Sequence, residues 1–392
     1  MSEFFLLSTV AASQKQKAEG GREGTLYTID PNTAMQSSSV GLRGECAVQP
    51  FGLAFEDTHF TALCRDSASF QVFQWDREKP LSRFYGHERL ACLVACEGYT
   101  LAGAVNGNLL VWESLTGELL QVVTNAHFQA VVKLCVQGSL VASAGRDGLV
   151  KVWDVHQIVS GKHPEPRFTV SAHQNAISDV CFLYSGRLVT CAEKEQVVHL
   201  HDQDGTPLAK FRFPEPIKRL QMGALETCLY AAGTQQIFLI DFERDYNQMQ
   251  VEAWCHQESK PTLELNVHED IVDMVLSLDD EHLAVLTKAN LQLWSCSNRV
   301  MLKKTTPFGT NETPTGIYCA YPHTTPLPKA FKFTPFNRQF KDASERVIPP
   351  MTASENTSVD STTVKELKQE LERMKRMNAT LVEFISKKSF LS

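Results

Sequence analysis

The stretch from Ala126 to Val155 reads AHFQAVVKLCVQGSLVASAGRDGLVKVWDV. Short apolar runs separated by turn signals predict a series of β-strands. We expect three of them, at residues 130–136, 140–145 and 149–154. Gly138 marks the first turn, and Arg146-Asp147-Gly148 is typical of a tight hairpin. The segment is therefore predicted to be an antiparallel meander that ends at Trp153-Asp154.

A His before the first strand, a Ser on the second, an Asp in the hairpin and a Trp closing the third resemble a WD-repeat blade. That unit has four strands and a period of roughly 40–45 residues. The matching positions here are His127, Ser143, Asp147 and Trp153. The resemblance implies that these side chains hydrogen-bond to one another, since a buried Trp N–H needs a partner.

The same residue types also occur in hydrolase triads. A catalytic Ser, however, needs an exposed turn, an oxyanion hole and a substrate pocket. We therefore favour a structural network over a catalytic one, and we predict neither a catalytic residue nor a bound cofactor. Solvent access to Ser143 distinguishes the two interpretations.

Comparable units follow one another along residues 1–322. The Trp position is filled in several of them, by Trp75, Trp112 and Trp294. In the fifth unit His201 replaces the Trp, and His199 lies on the same strand face. Two such histidines suggest a metal site, but the sequence offers no third ligand nearby, so we predict none. The sixth unit, at about 214–267, is degenerate, and we expect its stretch ERDYNQMQVEAWCHQESK to protrude.

The first unit has only three predicted strands before Pro50, whereas residues 314–320 resemble an innermost strand that no blade follows. We expect these residues to complete blade one, because closing the ring removes exposed sheet edges. The predicted fold is therefore an all-β, seven-bladed WD-repeat β-propeller spanning residues 1–322, followed by a C-terminal α-helix.

Three further segments are predicted after the propeller, namely a Pro/Phe-rich extension at 323–340, a linker at 341–362 and a coiled-coil helix at 363–388. Thr363 and Glu366 have the spacing of a capping box. Residues at a and d heptad spacing form a stripe along the helix. They are Val364, Leu367, Leu371, Met374, Asn378, Leu381 and Ile385. A single helix cannot bury such a stripe, so the helix either pairs with a second copy, as a homodimer, or docks on a partner protein.

Composition narrows the class of protein. The formal net charge of -7 argues against a wholly nucleic-acid-binding surface, although it leaves a local basic patch and direct RNA contact open. The 11 cysteines are scattered and include no Cys-x-x-Cys pair, which is typical of reduced thiols in a cytosolic or nuclear protein. No apolar run reaches transmembrane length, and we interpret Phe4–Val10 as a buried strand rather than part of a signal peptide. We predict no membrane partner.

The C-terminal part resembles one family closely. A Pro-Leu-Pro segment, then Phe336-Asn337-Arg338, a linker and VKELKQELERMKRMNATLVEFI are similar to the tail of the WD-repeat subunit of the rixosome. The rixosome is the large-ribosomal-subunit processing complex, and the animal subunits form the WD repeat-containing protein eighteen group. The resemblance extends to the short N-terminal unit completed from the other end of the chain.

This resemblance implies a scaffold rather than an enzyme. It implies binding to a large helical-repeat subunit, and help in loading an AAA-type remodelling ATPase onto pre-ribosomal particles in the nucleus, meaning the nucleolus and nucleoplasm. Processing of pre-ribosomal RNA would depend on the protein indirectly, and the chain has no GxxxxGK[ST] phosphate loop. The alternative is a substrate receptor of a ubiquitin ligase or a signalling scaffold, because many WD-repeat proteins have such roles.

Overall fold

The computed structural model describes residues 4–11, 24–42, 51–56, 59–64, 68–74, 80–114, 116–161, 163–223, 228–241, 258–259, 263–277, 279–309 and 312–320. The Pro/Phe-rich extension, the linker and the C-terminal helix lie outside these residues, as does Trp75. Within the described ranges no helix is long and apolar enough to cross a membrane.

Antiparallel strands make up seven sheets, which are the blades of a β-propeller. Blade one contains β1 (Phe4–Ala11), β2 (Gly24–Ile29) and β3 (Gln36–Leu42). Blade two contains β4 (Leu53–Phe55), β5 (His59–Leu63), β6 (Ser69–Gln74) and β7 (Ser82–Tyr85). Blade three contains β8 (Leu90–Cys96), β9 (Tyr99–Ala104), β10 (Leu109–Glu113) and β11 (Leu119–Val123). Blade four contains β12 (Val131–Gln137), β13 (Leu140–Gly145), β14 (Val150–Asp154), helix α1 (Val155–Ser160) and β15 (Phe168–Val170).

The remaining blades follow the same order from the inside outwards. Blade five contains β16 (Ile177–Phe182), β17 (Leu188–Ala192), β18 (Val197–His201) and β19 (Pro207–Arg212). Blade six contains β20 (Arg219–Met222), β21 (Cys228–Ala232), β22 (Gln236–Asp241) and β24 (Leu263–Asn266). The short strand β23 (Glu258–Ser259) precedes β24 in the sequence but belongs to the sheet of blade five. Blade seven contains β25 (Ile271–Leu276), β26 (His282–Thr287), β27 (Leu291–Ser295) and β28 (Met301–Thr305), and β29 (Glu312–Ala320) then joins blade one. The predicted seven-bladed WD-repeat propeller is confirmed.

The ring is completed by strands from opposite ends of the sequence. Strand β29 pairs antiparallel with β1, from Phe4 opposite Ala320 to Ala11 opposite Glu312, and thereby becomes the innermost strand of blade one. The sequence placed this strand at 314–320. Side chains reinforce the pairing, since the Thr9 hydroxyl donates to the Glu312 carboxylate at 3.0 Å.

The core is divided among the contacts between neighbouring blades. Seven clusters of buried apolar side chains lie one at each junction between consecutive blades. The junction of blades seven and one includes Leu286 with Phe5 and Leu7, and that of blades one and two includes Leu26 with Phe60. Because each blade is covered on both faces, its central strands are apolar on both sides rather than alternating.

Two turns show why the blades pack so closely. Gly107 and Gly148 follow Asn106 and Asp147 in the turns between the second and third strands, and both have positive φ (+93° and +79°). A Cβ on Gly107 would lie 2.1 Å from the carbonyl oxygen of His127 in the neighbouring blade. Glycine is therefore required there both for its backbone conformation and for space.

Two features differ from what the sequence suggested. Helix α1 was not among the predicted elements, and it is capped by the Asp154 carboxylate, which accepts the N–H of His156 at 2.9 Å. The prediction that the long stretch of the sixth unit protrudes is wrong for Glu258 and Ser259. These residues form β23, which pairs in parallel with β19 and so covers the outer edge of blade five.

Candidate functional site

The four residues singled out in blade four are brought together by the fold. Trp153 Nε1 donates to Ser143 Oγ at 2.9 Å, and His127 Nε2 lies 2.7 Å from the same oxygen. His127 Nδ1 lies 3.1 Å from a carboxylate oxygen of Asp147. Asp147 also accepts the backbone N–H of Phe128 at 3.0 Å. A neutral His127 that carries its proton on Nδ1 satisfies every one of these groups, because Ser143 then donates to Nε2.

This network is sealed from solvent. Ser143 is 0% exposed, His127 1% and Trp153 2%. Burial lowers the pKa of His127 and outweighs the opposing effect of Asp147, so the imidazole is neutral at pH 7. A substrate could not reach the Ser143 hydroxyl, and the geometry therefore matches a structural network rather than a hydrolase triad.

Blade five has an equivalent hydrogen-bond network that is built from different side chains. His173 bridges Glu195 (2.7 Å from Nδ1) and Thr190 (2.9 Å from Nε2), and His201 Nε2 lies 3.3 Å from the Thr190 hydroxyl. His201 thus stands where Trp153 stands in blade four. Burial opposes ionisation of Glu195, but hydrogen bonds from His173 and from nearby amides outweigh it and lower the pKa of the carboxyl to about 2.

The histidines predicted on one face of β18 have a neighbour that the sequence did not reveal. The ring centroids of His173 and His199 are 4.9 Å apart, and those of His199 and His201 are 5.9 Å apart. Both ring nitrogens of His173 are already hydrogen-bonded, so His173 offers no ligand to a metal ion. Burial lowers the pKa of both His199 and His201 to about 4, which keeps these two imidazoles neutral at pH 7.

Blades three and seven keep the Trp without the full network. The strand register puts Ala102 at the position that Ser143 occupies in blade four. Within the described residues, Trp112 Nε1 accordingly has no hydrogen-bond partner. In blade seven Trp294 Nε1 donates instead to Gln292 at 3.2 Å. Among the described residues, the most complete networks therefore lie between residues 117 and 202.

Inside the channel, equivalent positions of consecutive innermost strands carry charges of alternating sign. We call them the inner charged row, and they are Lys133, Asp179, Arg219 and Asp273. Lys133 pairs with Asp179, and Arg219 Nε lies 3.2 Å from Asp273. Burial disfavours the Lys133 ammonium, but Asp179 outweighs burial and raises the pKa of Lys133.

The inner charged row also links blades. The Asp179 carboxylate accepts the backbone N–H of Leu220 in blade six at 2.9 Å, and the Asp273 carboxylate accepts that of Ile317 in β29 at 3.1 Å. The second bond ties blade seven to the strand that closes the ring. Sequence reasoning missed the row, although a single charge inside each of the apolar runs VVKLC, ISDVC and IVDMV was the available signal.

Above the row, a funnel opens at the end of the channel formed by the turns between second and third strands. Its volume is about 790 Å³. Blades three to six supply the residues at its rim, which are Arg89, Val105, Arg146, Glu193, Lys194 and Lys218. Phe51 and Arg219 line it more deeply, and the Arg219 guanidinium lies 4.5 Å from the centre of the Phe51 ring.

One group of described residues has ligand atoms close enough for a metal ion. Asp279, Glu281 and His282 bring such atoms within 4.8 Å of one another. Asp279 already accepts from the Ser277 hydroxyl and from the N–H of Glu281. These bonds are those of an ordinary polar turn, and nothing further points to a bound ion.

Comparison with known protein families agrees with the distribution of networks. The family described as "WD domain, G-beta repeat" matches residues 117–154 and 164–202, the two repeats that contain the His127 and His173 networks. Two solved structures share the fold at low sequence identity. The computationally designed Ika8 protein has a TM-score of 0.56 at 18% identity, over 76% of this chain and 85% of that one. A chain of the mitotic checkpoint complex has a TM-score of 0.55 at 13% identity, over 67% and 78%.

Curated relatives are more specific. Pre-rRNA-processing protein IPI3 of Eremothecium gossypii is 29% identical over 179 residues, which are 39% of this chain and 35% of the relative. The IPI3 protein of Kluyveromyces lactis is 25% identical over 228 residues, 54% of this chain and 43% of the relative. WD repeat-containing protein 18 of Danio rerio is 30% identical over 155 residues, 37% of this chain and 36% of the relative. The matches thus span less than half the length of these relatives. The chain's homologues thus include the proteins named Pre-rRNA-processing protein IPI3 and WD repeat-containing protein 18, and the family resemblance drawn from the sequence is confirmed.

Proposed function

We propose that this protein is a non-enzymatic scaffold subunit of a nuclear pre-ribosomal complex that is needed for large-subunit maturation and pre-rRNA processing. The observation that carries the proposal is the set of homologues named for pre-rRNA processing. The matches cover less than half the length of those relatives, and the role that we propose for the propeller is that of a binding platform.

The sealed networks support a scaffold rather than an enzyme. Ser143 is the residue most like a nucleophile, and it is fully buried. Its hydroxyl is hydrogen-bonded to both His127 and Trp153. In blade five, burial lowers the pKa of His199 and His201 to about 4, so both are neutral at pH 7, and their rings pack with the ring of His173. What remains accessible is the outer surface of the ring and the funnel, and such surfaces serve binding.

The partners that we propose are a large helical-repeat subunit, an AAA-type remodelling ATPase and the pre-ribosomal particle, in the nucleolus and nucleoplasm. The ATPase would supply the energy of remodelling, and the propeller would position it. A ubiquitin-ligase receptor or signalling scaffold is the alternative with the same fold.

Affinity purification of the full-length protein from cells, with identification of stable partners, separates these roles. Ribosome-assembly factors recovered in near-equal amounts to the protein support the proposal. Recovery of ligase subunits without assembly factors contradicts it. The variant Trp153→Ala serves as a folding control, because it should reduce recovery only in proportion to the loss of folded protein.

The proposed homodimer through the C-terminal stripe is tested by sedimentation of the full chain and of a version ending at Asp360. An Asn at an a position favours two strands and one register, because two Asn side chains hydrogen-bond across the seam. If only the full chain dimerises, Asn378→Leu should strengthen association and loosen its specificity. If both chains are monomers at tens of micromolar, self-pairing is wrong or requires the partner protein.

A further inference from the structure

The funnel has a basic rim although the protein as a whole is acidic. Arg146, Lys194 and Lys218 are exposed at its edge, and they come from three consecutive blades. Glu193 is the only acidic residue among the described residues that line it. With a formal net charge of -7 for the chain, this concentration of positive charge is a local feature.

Three of the rim cations have no oppositely charged partner among the described residues. Among the described residues, Arg146, Lys194 and Lys218 form no ion pair, although Lys218 does lower the pKa of Asp270 slightly through its charge. The cations of the inner charged row, by contrast, are paired with Asp179 and Asp273. Of the described cations that line the channel and the funnel, Arg146, Lys194 and Lys218 at the mouth are thus unpaired, and a concave wall of low dielectric concentrates their field there.

We propose that this funnel binds an acidic segment of a partner protein, with side-chain carboxylates engaging Arg146, Lys194 and Lys218. The inference rests on the proposed scaffold function and names the surface and the chemistry of one partner. A volume of about 790 Å³ accommodates a few residues of an extended chain. The apolar Val105, 44% exposed at the rim, provides a contact for a flanking hydrophobic side chain.

The chemistry of the lining favours a peptide over RNA. Proteins that bind single-stranded nucleic acid without regard to sequence offer exposed aromatic rings for base stacking. Phe51 is the only aromatic residue among the described residues that line the funnel, and two cations already face its ring, Lys133 at 4.8 Å and Arg219 at 4.5 Å. A base would have to displace a paired charge in order to stack there.

The test uses the full-length protein and two fluorescein-labelled probes, a ten-residue glutamate peptide and a ten-nucleotide oligouridylate. Fluorescence anisotropy is recorded at low and at physiological salt. The glutamate peptide should bind the wild type, more weakly as salt rises. The variant Arg146→Glu/Lys194→Glu/Lys218→Glu should bind it at least tenfold more weakly.

A matched control separates the funnel from general charge. Arg167, Lys210 and Arg299 are exposed outside the funnel, and reversing all three changes the net charge equally. The control variant should bind the glutamate peptide within about twofold of the wild type, given that exposed charges beyond a Debye length of about 8 Å are screened. Equal loss in both variants, or no loss in the funnel variant, overturns the proposal. Tighter binding of the oligouridylate, lost in the funnel variant alone, overturns it in favour of nucleic acid.

Folding and function are checked separately. Should the charge-reversed protein fail to fold, the three alanine substitutions at the same positions replace it, with at least a threefold loss expected. In affinity purification, the funnel variant should lose a subset of the partners that the wild type and the control variant retain. If the wild type recovers no ribosome-assembly factor while the peptide result holds, the scaffold function is wrong and the acidic-peptide site stands. If the factors are recovered and the peptide fails to bind, the reverse is true.

Discussion

Blades four and five share one network architecture and differ in its chemistry. In blade four a Trp N–H, which does not titrate, donates to Ser143, and Lys151 lies opposite Ser143 on the neighbouring strand. In blade five His201 replaces the Trp, and His199 lies opposite Thr190 where blade four has the lysine. The position filled by Trp153 and His201 therefore requires a side chain whose nitrogen can hydrogen-bond to the hydroxyl, and an imidazole can serve there in place of an indole.

The exchange alters what each blade depends on. Blade four relies on the large apolar area of Trp153, which lies in the junction with blade three. Blade five relies on imidazoles that remain neutral only while the pH is well above their lowered pKa values. Blade four should therefore respond most to truncation of its network residues, and blade five to acid.

The largest effect is expected for Trp153→Ala. Removing a fully buried aromatic side chain costs about 3–5 kcal/mol, because the transfer free energy is lost and a cavity remains. The matched change in blade five, His201→Ala, should cost less, roughly 1–3 kcal/mol, since the imidazole is smaller and contributes mainly one hydrogen bond. Urea unfolding of both variants measures the free energies. A larger loss for His201→Ala would reverse the comparison.

The next largest loss of stability is expected on removal of the hydroxyl at the centre of each network. Ser143→Ala leaves His127 Nε2 and Trp153 Nε1 without their partner, and each unsatisfied buried group costs about 1–3 kcal/mol. We expect a loss of roughly 2–4 kcal/mol on that basis. Thr190→Val keeps the volume in blade five and should cost about half as much, because His201 holds the hydroxyl by a longer contact of 3.3 Å. The melting temperatures of the two variants, compared in one buffer, decide the order.

Acid should act mainly through blade five. His199 and His201 titrate near 6.5 in an unfolded chain and at about 4 in the fold, so the unfolded state binds more protons between these values. Their contribution is fully present above about pH 6.5 and is lost as the pH falls towards 4, by roughly 2 kcal/mol after allowance for partial solvent screening.

Thermal melts of the wild type and two variants at intervals between pH 7 and pH 4 measure this dependence. His199→Gln removes one of the titrating imidazoles and should flatten the curve. The matched variant Lys151→Gln in blade four should leave the slope nearly unchanged. A slope that is the same in all three proteins would assign the acid sensitivity to other groups.

The smallest effect is expected for Glu195→Gln. The carboxylate has a pKa of about 2 in the fold, below the ordinary value of 4.5, so it contributes stability above pH 4.5 that disappears as the pH falls towards 2. Its side chain is 18% exposed, and we expect a loss of only about 0.5–1.5 kcal/mol at pH 7. The difference between wild type and variant should vanish in melts at pH 2–3, and a difference that persists there would contradict the ionic explanation.

The sequence predicted those features of the fold that repeat from blade to blade or depend on residues close together in the chain. The blade-four residues, the exchange of Trp for His201 and the number of blades follow from the resemblance to WD-repeat blades, which rests on repeat spacing and turn residues. It did not predict the contact of His173 with His199 or the pairing of β23 with β19. Both depend on which segments the closed ring brings together. The inner charged row was missed for the same reason, because each of its charges looks like an isolated exception until neighbouring blades are superimposed.

The pairing of β29 with β1 has a consequence for synthesis. Translation produces Phe4–Ala11 first, but the innermost strand of blade one is not available until Ala320 has left the ribosome. Blades two to seven can form in order while the chain emerges, since each is built from strands that are near in sequence. The first sheet must wait with its inner edge uncovered for about 300 residues, which at about 5–20 residues per second is roughly 15–60 seconds. The nascent chain is therefore most exposed to misassociation at its N-terminal strand, and a factor that shields this edge during translation would protect the protein as a whole.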